Sequence, residues 1–380
     1  MERSGIRPKG AVFAPDLASV AQKEGPFVTV VLTTEAGIEN AAQRSMQHWK
    51  DARRALGSEE VFEQVLDEIE AIVPDAHLNG NALGVIANRG GVLHVEHGAQ
   101  PAAGDSAVCD HIPVLWPFIG WRQASPTHMT VRADRTGADI AVYGHEQEPV
   151  NASAGGDDFP ITKVKPGGWS QPRYQHQAEN TWLHNAKDVV QELTDLFHRF
   201  EPELVVAAGD VRAIELIRQD LPKEVLDRTV VVEGSRADDG SDSLFQQRVA
   251  EQLAATVGKA EQEILEKFDE ERGEDDRASD GVHATLAALL RGQVDILLLR
   301  PRLDDERTAF YGAEPALVAD NPGDLDALGT TDVRRGPLID VAIRAALSTS
   351  AGIRLISEHS EKVPEDALPT GGVGAILRWS

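Results

Sequence analysis

Cysteine is nearly missing from this chain of 380 residues. Cys109 is the only one, which excludes an intrachain disulfide framework and any four-cysteine zinc site. Basic residues are scarce too. Lys and Arg number 37 against 62 Asp and Glu, a formal net charge of −25. That argues against a general nucleic-acid coat, whose affinity comes from a basic footprint. No window approaches the ~18 consecutive apolar residues of a membrane span. Met1–Lys9 is polar and basic with no apolar run after it, which predicts no signal peptide. Internal repeats, low-complexity tracts, a Gly-x-Ser-x-Gly elbow and the glycine spacings of dinucleotide or Walker loops are all absent. What is present is 41% hydrophobic and 26% charged, enough to pack a core. At roughly 100–200 residues per domain the length fits two or three domains. These features predict an acidic, soluble, cytoplasmic protein of a reducing compartment.

Short β-type runs alternate with longer helical patterns, so an α/β fold is expected. The organisation read from the sequence has four parts: a divergent N-terminal α/β domain over 1–127, a central domain over 128–235, an acidic connector over 236–278 and a C-terminal domain over 279–380. Phe27–Thr33 reads as a strand, followed by helical spacing over 38–56 and 61–73. Gly84–Ala87 and Gly91–Val95 read as a hairpin through Asn88-Arg89-Gly90, and Met129–Arg132 with Ala138–Tyr143 as a second through Asp134–Gly137. Trp116, Phe118 and Trp121 fall in a Pro-flanked segment expected to be a packed loop, and 146–174 reads as irregular. Apolar residues from Leu183 to Phe200 recur at three- and four-residue spacing, predicting a long amphipathic helix over 175–200. The connector region 236–280 holds 14 Asp and Glu against 6 Lys and Arg, which predicts a solvated helix ending in a flexible acidic stretch at 270–276. Ser279-Asp280 is the expected N-cap of a helix over 282–290.

Several chemical candidates have ordinary readings. His94 and Glu96 alternate on one strand, with His97 and His111 near in sequence, but no third ligand stands at a known metal spacing. They read as polar-face residues. His176, His184 and His198 read as surface positions on the long helix, and Cys109 as a buried thiol. Gly80–Gly84 and Gly209-Asp210 read as turns, and Glu270-Glu271 with Asp275-Asp276 as groups that keep the connector solvated.

One segment stands out. Lys163 to Glu179 reads KVKPGGWSQPRYQHQAE, and between Phe159 and Ala178 there is no acidic residue while Lys163, Lys165 and Arg173 supply positive charge. Gly167-Gly168 frees the backbone at two successive positions. Trp169 follows, and an exposed indole gains by stacking on a partner. One reading is a basic finger for phosphates with an aromatic that stacks on a base. The other is a surface loop whose Trp169 folds back on its own domain.

Gly167-Gly168-Trp169-Ser170, followed by Arg173-Tyr174 and Glu179, resembles the Gly-Gly-Gln-Ser loop of the archaeal and eukaryotic class-1 peptide release factors, which also runs through an Arg-Phe pair and a Glu into a long helix. Gly371–Trp379 (GGVGAILRW) is similar to that family's terminal Gly-Gly-Ile-Ala-Ala-Ile-Leu-Arg-Tyr. Arg291–Leu299 resembles the helix–Gly-Ala-Val-Asp–strand signature that those factors share with Pelota. The three matches follow the family's order and cover the chain from about residue 128 onward. The first 127 residues resemble the family's codon-reading domain only in being α/β. Bacterial release-factor-like proteins acting in ribosome hibernation are the nearest kin the resemblance suggests.

The resemblance implies an RNase-H-like central domain carrying the loop and an α/β/α C-terminal domain that docks a translational GTPase, elongation factor Tu in bacteria. It also implies occupancy of the A site of the 70S ribosome. Trp169 stands where the family has its glutamine. Indole offers one donor and no acceptor, so the amide's water-orienting role is lost. The expectation is therefore a ribosome-binding factor for hibernation or stalled ribosomes, without catalytic residues, cofactor or metal. Lys163, Lys165, Gly167, Gly168, Trp169, Ser170, Gln171, Arg173 and Tyr174 would form its ribosomal RNA contact near the peptidyl-transferase centre. The alternative is a peptidyl-tRNA hydrolase in which Gln171 or another nearby group takes over. A third reading is a stress-related binding protein whose loop is vestigial.

Overall fold

The computed structural model describes residues 9–35, 37–57, 63–98, 104–144, 149–155, 171–234, 236, 242–273, 277–301, 306–357 and 364–379, with side chains from 183 onward in the helix that begins at 171. The fold is α/β, as the alternating patterns predict. Two compact units emerge: one joins the N-terminal part up to Gln123 with the C-terminal part from Lys259, and the other is Ala124–Gly258.

The N-terminal part of the first unit contains α1 (Pro15–Ala21), β1 (Phe27–Thr33), α2 (Ala41–Leu56), α3 (Glu63–Ile72), β2 (Ala82–Asn88), β3 (Gly91–Gly98), β4 (Ser106–Asp110) and α4 (Trp116–Ala124). Its antiparallel sheet has the order β3-β2-β1-β4, with Phe27 opposite Asn88 and Thr33 opposite Ala82. Strand β1 is apolar on both faces because both are covered. Side chains alternate across the pleat, so Val28, Val30 and Leu32 meet Trp49, Leu66 and Ile69, while Phe27 and Val31 join Phe118 and Trp121. The tryptophan-rich segment is a helix rather than a loop. Pro117 sits in its first turn, where its missing N–H costs no intrahelical bond. Gly84 is a strand residue, as the hairpin reading of Gly84–Ala87 expects, and β2 begins at Ala82 within the stretch Gly80–Gly84 also read as a turn. A Cβ on Gly84 would stand 2.6 Å from Phe118 and 2.7 Å from Trp121, so only glycine lets the two edge-to-face rings approach the strand this closely.

The second unit contains β5 (His128–Ala133), β6 (Gly137–Tyr143), β7 (Val150–Gly155), α5 (Gln171–Phe200), β8 (Leu204–Gly209), α6 (Val211–Asp220), α7 (Lys223–Leu226), β9 (Thr229–Val231) and the start of α8 (Asp242–Gly273). The sheet order is β7-β6-β5-β8-β9, antiparallel from β7 to β5 and parallel from β5 to β9. That is the strand order of an RNase-H-like sheet. Met129, Val131, Ile140 and Val142 face Val189, Leu193 and Phe197 of α5 with Ile214 and Ile217 of α6. On the opposite face Leu204, Val206 and Ala208 meet Phe245 and Val249 of α8. Strand β7 lies within the stretch read as irregular. Its sequence, VNASAG, lacks the β-branched apolar alternation of a half-buried strand, and its place comes from pairing with β6 at the sheet edge.

The C-terminal part of the first unit contains β10 (Ala278–Asp280), α9 (Val282–Leu290), β11 (Val294–Leu299), β12 (Thr308–Tyr311), β13 (Val318–Ala319), α10 (Pro322–Ala327), β14 (Arg334–Pro337), α11 (Leu338–Ser348), β15 (Gly352–Leu355) and β16 (Val373–Leu377). A sheet of order β10-β16-β11-β15 lies between two helical layers. Leu297, Leu299 and Ala375 face α9 and α11, while Ile296, Leu298 and Ile376 face Ile264, Leu265 and Phe268 of α8. The acidic helix is thus packed at both ends rather than solvated throughout. Glu271 is buried and accepts from Arg277 at 2.7 Å. Ser279 and Asp280 lie in β10, and the N-cap of α9 is Gly281 at φ +83° without a side-chain cap.

Candidate functional site at the loop end of the central sheet

The candidate loop leaves the sheet at Gly155 and the chain enters α5 at Gln171. Its stem is built on the tight turn between β5 and β6. Asp134 Oδ1 accepts from the Thr136 N–H at 2.7 Å, the Thr136 hydroxyl at 2.6 Å and the Gly137 N–H at 3.0 Å. Gly137 pairs with Gly155. A Cβ on Gly155 would lie 2.7 Å from the Thr136 carbonyl, and its φ of +86° suits glycine, so β7 ends directly against the turn. From the other side Asn185 of α5, 3% exposed, donates its Nδ2 to the Arg135 carbonyl at 3.2 Å.

Arginines and aspartates interlock at this end. Arg236 donates from Nε and Nη2 to the two oxygens of Asp139 at 2.9 and 3.0 Å, and from Nη1 to Asp134 at 2.9 Å. Asp139 also accepts from the Ser153 hydroxyl of β7 at 3.1 Å. Arg236 holds the Asp139 carboxyl below the usual carboxylate range, with Ser153 adding to the effect. At Asp134 burial pushes upward, but the Thr136 and Arg236 hydrogen bonds outweigh it and the pKa is lowered. Nearby, Asp210 caps α6 by accepting from the Arg212 and Ala213 N–H groups, and Arg135 approaches its other oxygen at 3.2 Å. Forked guanidinium–carboxylate contacts of this kind fix direction as well as distance. These paired charges brace the turn from β6 and from the segment that carries Arg236.

Of the residues singled out by sequence, Lys163, Lys165, Gly167, Gly168, Trp169 and Ser170 lie outside the described residues. Gln171, Arg173 and Tyr174 form the first turn of α5, and their side chains lie outside the described set. The base of the stem was not legible locally. Arg236 and Asn185 reach partners 97 to 102 and 50 residues away, and neither belongs to a motif.

Other candidates resolve differently. His94 and Glu96 do come together, at 3.0 Å, but the third group is Arg122, which donates to both Glu96 and Asp16. A guanidinium fills the place a cation would take. His111 contacts Arg334, not His97. Among the described residues no cluster of three His, Cys, Asp or Glu could hold a metal ion, and no helix is long and apolar enough to cross a membrane. His184 and His198 are exposed, while His176 lies outside the described side chains. Cys109 is exposed on edge strand β4, not buried.

Comparison with known proteins bears on the same part of the chain. Residues 127–274 match the family described as bacterial archaeo-eukaryotic release factor family 2. The chain is 27% identical over 367 residues to the uncharacterized protein Rv2629 of Mycobacterium tuberculosis, covering 94% of each. Among solved structures it is similar to an archaeal Pelota bound to the ribosome with ABCE1, at 13% identity, 100% and 99% coverage and a TM-score of 0.39. It is also similar to Dom34 of Saccharomyces cerevisiae, at 11% identity, 94% and 97% coverage and a TM-score of 0.37. The segment carrying the Gly-Gly-Trp loop, its stem and α5 thus lies inside the stretch, residues 127–274, that is similar to this release-factor family.

Proposed function

We propose that this protein is a ribosome-associated translation factor that enters the A site of the 70S ribosome and occupies it without releasing peptide, in hibernation or in the handling of stalled ribosomes. One observation carries the reading: within a release-factor family match, Gly167-Gly168-Trp169-Ser170 stands where release factors carry Gly-Gly-Gln-Ser. The glycines are retained, so the loop keeps the backbone freedom to approach RNA closely. The amide is replaced by an indole, which stacks but cannot accept a hydrogen bond from water. Elongation factor Tu is the proposed delivery partner, through the C-terminal α/β/α layer.

With a net charge of −25 the protein approaches RNA through few groups. Lys163, Lys165 and Arg173 would neutralise three phosphates. The association should weaken roughly 20- to 40-fold between 50 and 200 mM salt. The test is co-sedimentation with purified 70S ribosomes at those two salt concentrations, for the wild type and Trp169→Ala, alongside a peptide-release assay on a stalled complex. Salt-sensitive pelleting weakened by Trp169→Ala, with no peptide released, supports the proposal. Release that is lost in Gln171→Ala would replace it with a hydrolase. Absence of pelleting, with or without elongation factor Tu, would sink it.

A further inference from the structure

We infer that Arg236 and Asn185 are positioning residues for the Gly-Gly-Trp loop: together they fix the direction in which α5 leaves the central sheet. The inference deepens the proposed ribosomal role and rests on it for its functional consequence, but the anchoring stands on geometry alone.

Both chain ends that lead to the loop converge on one four-residue turn, Asp134–Gly137. The outgoing end is tied through Gly155, which pairs with Gly137, and through Ser153, which donates to Asp139. The returning helix is tied through Asn185, whose Nδ2 bonds the Arg135 carbonyl. Arg236 closes the arrangement from a third segment, since one guanidinium binds Asp134 in the turn and Asp139 on β6 together. Asn185 is 3% exposed and the Arg236 side chain 22%, while its partners Asp134 and Asp139 are 42% and 46% exposed, so the Arg236 bonds rest on their forked geometry more than on exclusion of water.

The lever explains why such a base is needed. Helix α5 begins at Gln171, and fourteen residues before Asn185 is about 21 Å of helix. A tilt of about 10° at Asn185 would displace the start of α5 by roughly 4 Å. A stacking residue carried beyond that point would miss its base, because stacking needs ring-to-ring contact. Arg suits position 236 because its planar fork spans two carboxylates, which a lysine ammonium cannot do with the same directionality.

The experiment replaces Cys109, which would otherwise take up label, by Ser and introduces spin labels at Gln175→Cys and Arg218→Cys. The distance distribution between them is measured by pulsed electron resonance. It is compared for the parent, Arg236→Ala, Arg236→Lys and Asn185→Ala, with near-ultraviolet circular dichroism verifying that each is folded. Asn185→Ala serves if Arg236→Ala fails to fold. The parent should give one narrow distribution. Both alanine variants should broaden it and weaken pelleting with 70S ribosomes several-fold, and Arg236→Lys should fall between. An unchanged width in both alanine variants overturns the inference. Broadening without any loss of pelleting also overturns it, leaving a purely structural network. If the parent itself does not pellet, the ribosomal reading falls, while the width still decides the anchoring.

Discussion

Asp340 places a carboxyl in the first turn of α11, 5% exposed, with the Leu115 N–H at 3.4 Å as its hydrogen bond. Burial pushes its pKa up to about 7 against the pull of that hydrogen bond, and the Asp110 charge adds to the rise. An acid whose folded pKa lies above its unfolded value of about 3.9 binds more protons folded than unfolded. Stability from this group therefore falls as pH rises from about 4 to about 7 and is flat above. The loss is on the order of 4 kcal/mol. Chemical denaturation at pH 5.5 and 8 should show Asp340→Asn abolishing most of that slope; an unchanged slope would remove Asp340 as its source. Gly209 makes a second prediction. It has a φ of +139°, and a Cβ would stand 1.8 Å from the Ala133 carbonyl, a clash with backbone that cannot rotate away. Gly209→Ala should cost at least about 3 kcal/mol in the second unit, read by denaturant midpoint. The sequence shows both residues but neither property. Asp340 follows Pro337-Leu338-Ile339 like any first-turn acid, and its enclosure comes from Leu115, 225 positions away.

Helix α8 shows why an element can be found yet misjudged. Its 32 residues carry the charge of a solvated connector, and its apolar groups do not share one continuous stripe. Phe245 and Val249 serve one core, and Ile264, Leu265 and Phe268 another. Periodicity averaged over the whole length therefore understates burial. Phe268, fully buried, should cost about 3–5 kcal/mol when replaced by alanine. Hydrogen exchange should register the loss in the first unit for Phe268→Ala and in the second for Phe245→Ala. Helix α6 offers a smaller test. Its Asp210 cap satisfies two otherwise free N–H groups, so Asp210→Ala should lower the stability of the second unit by about 1 kcal/mol. Hairpins were the most legible elements, because β2–β3 and β5–β6 combine alternating residues with turns rich in Asn, Asp and Gly. Edge strand β7 and helix α4 were misread, since one depends on its neighbour and the other hides behind two prolines.

At the scale of the whole molecule, the first unit cannot be assembled from either end of the chain alone. Phe27, Val31, Ile86, Leu115, Phe118 and Trp121 share one core with Leu286, Leu297, Val341, Ile353 and Leu355. Asp16 and Arg354 bind Arg122 and Glu261 in the same unit. A fragment of 124–273 should therefore unfold cooperatively by calorimetry, because its sheet has its own cores on both faces. A fragment of 1–123 should bind a hydrophobic dye and lack a cooperative transition; cooperative unfolding there would contradict the shared core. The sequence by itself determined the α/β class, strand β1, the two hairpins and the long helix α5, the acidic balance and the Gly-Gly-Trp-Ser motif, because each is written in residues adjacent along the chain. Only the tertiary structure decided which distant segments share a core, that the Arg122 guanidinium joins Glu96 to Asp16 beside His94, and that Arg236 and Asn185 meet one turn. Those depend on contacts among side chains tens to hundreds of residues apart, for which local pattern carries no signal.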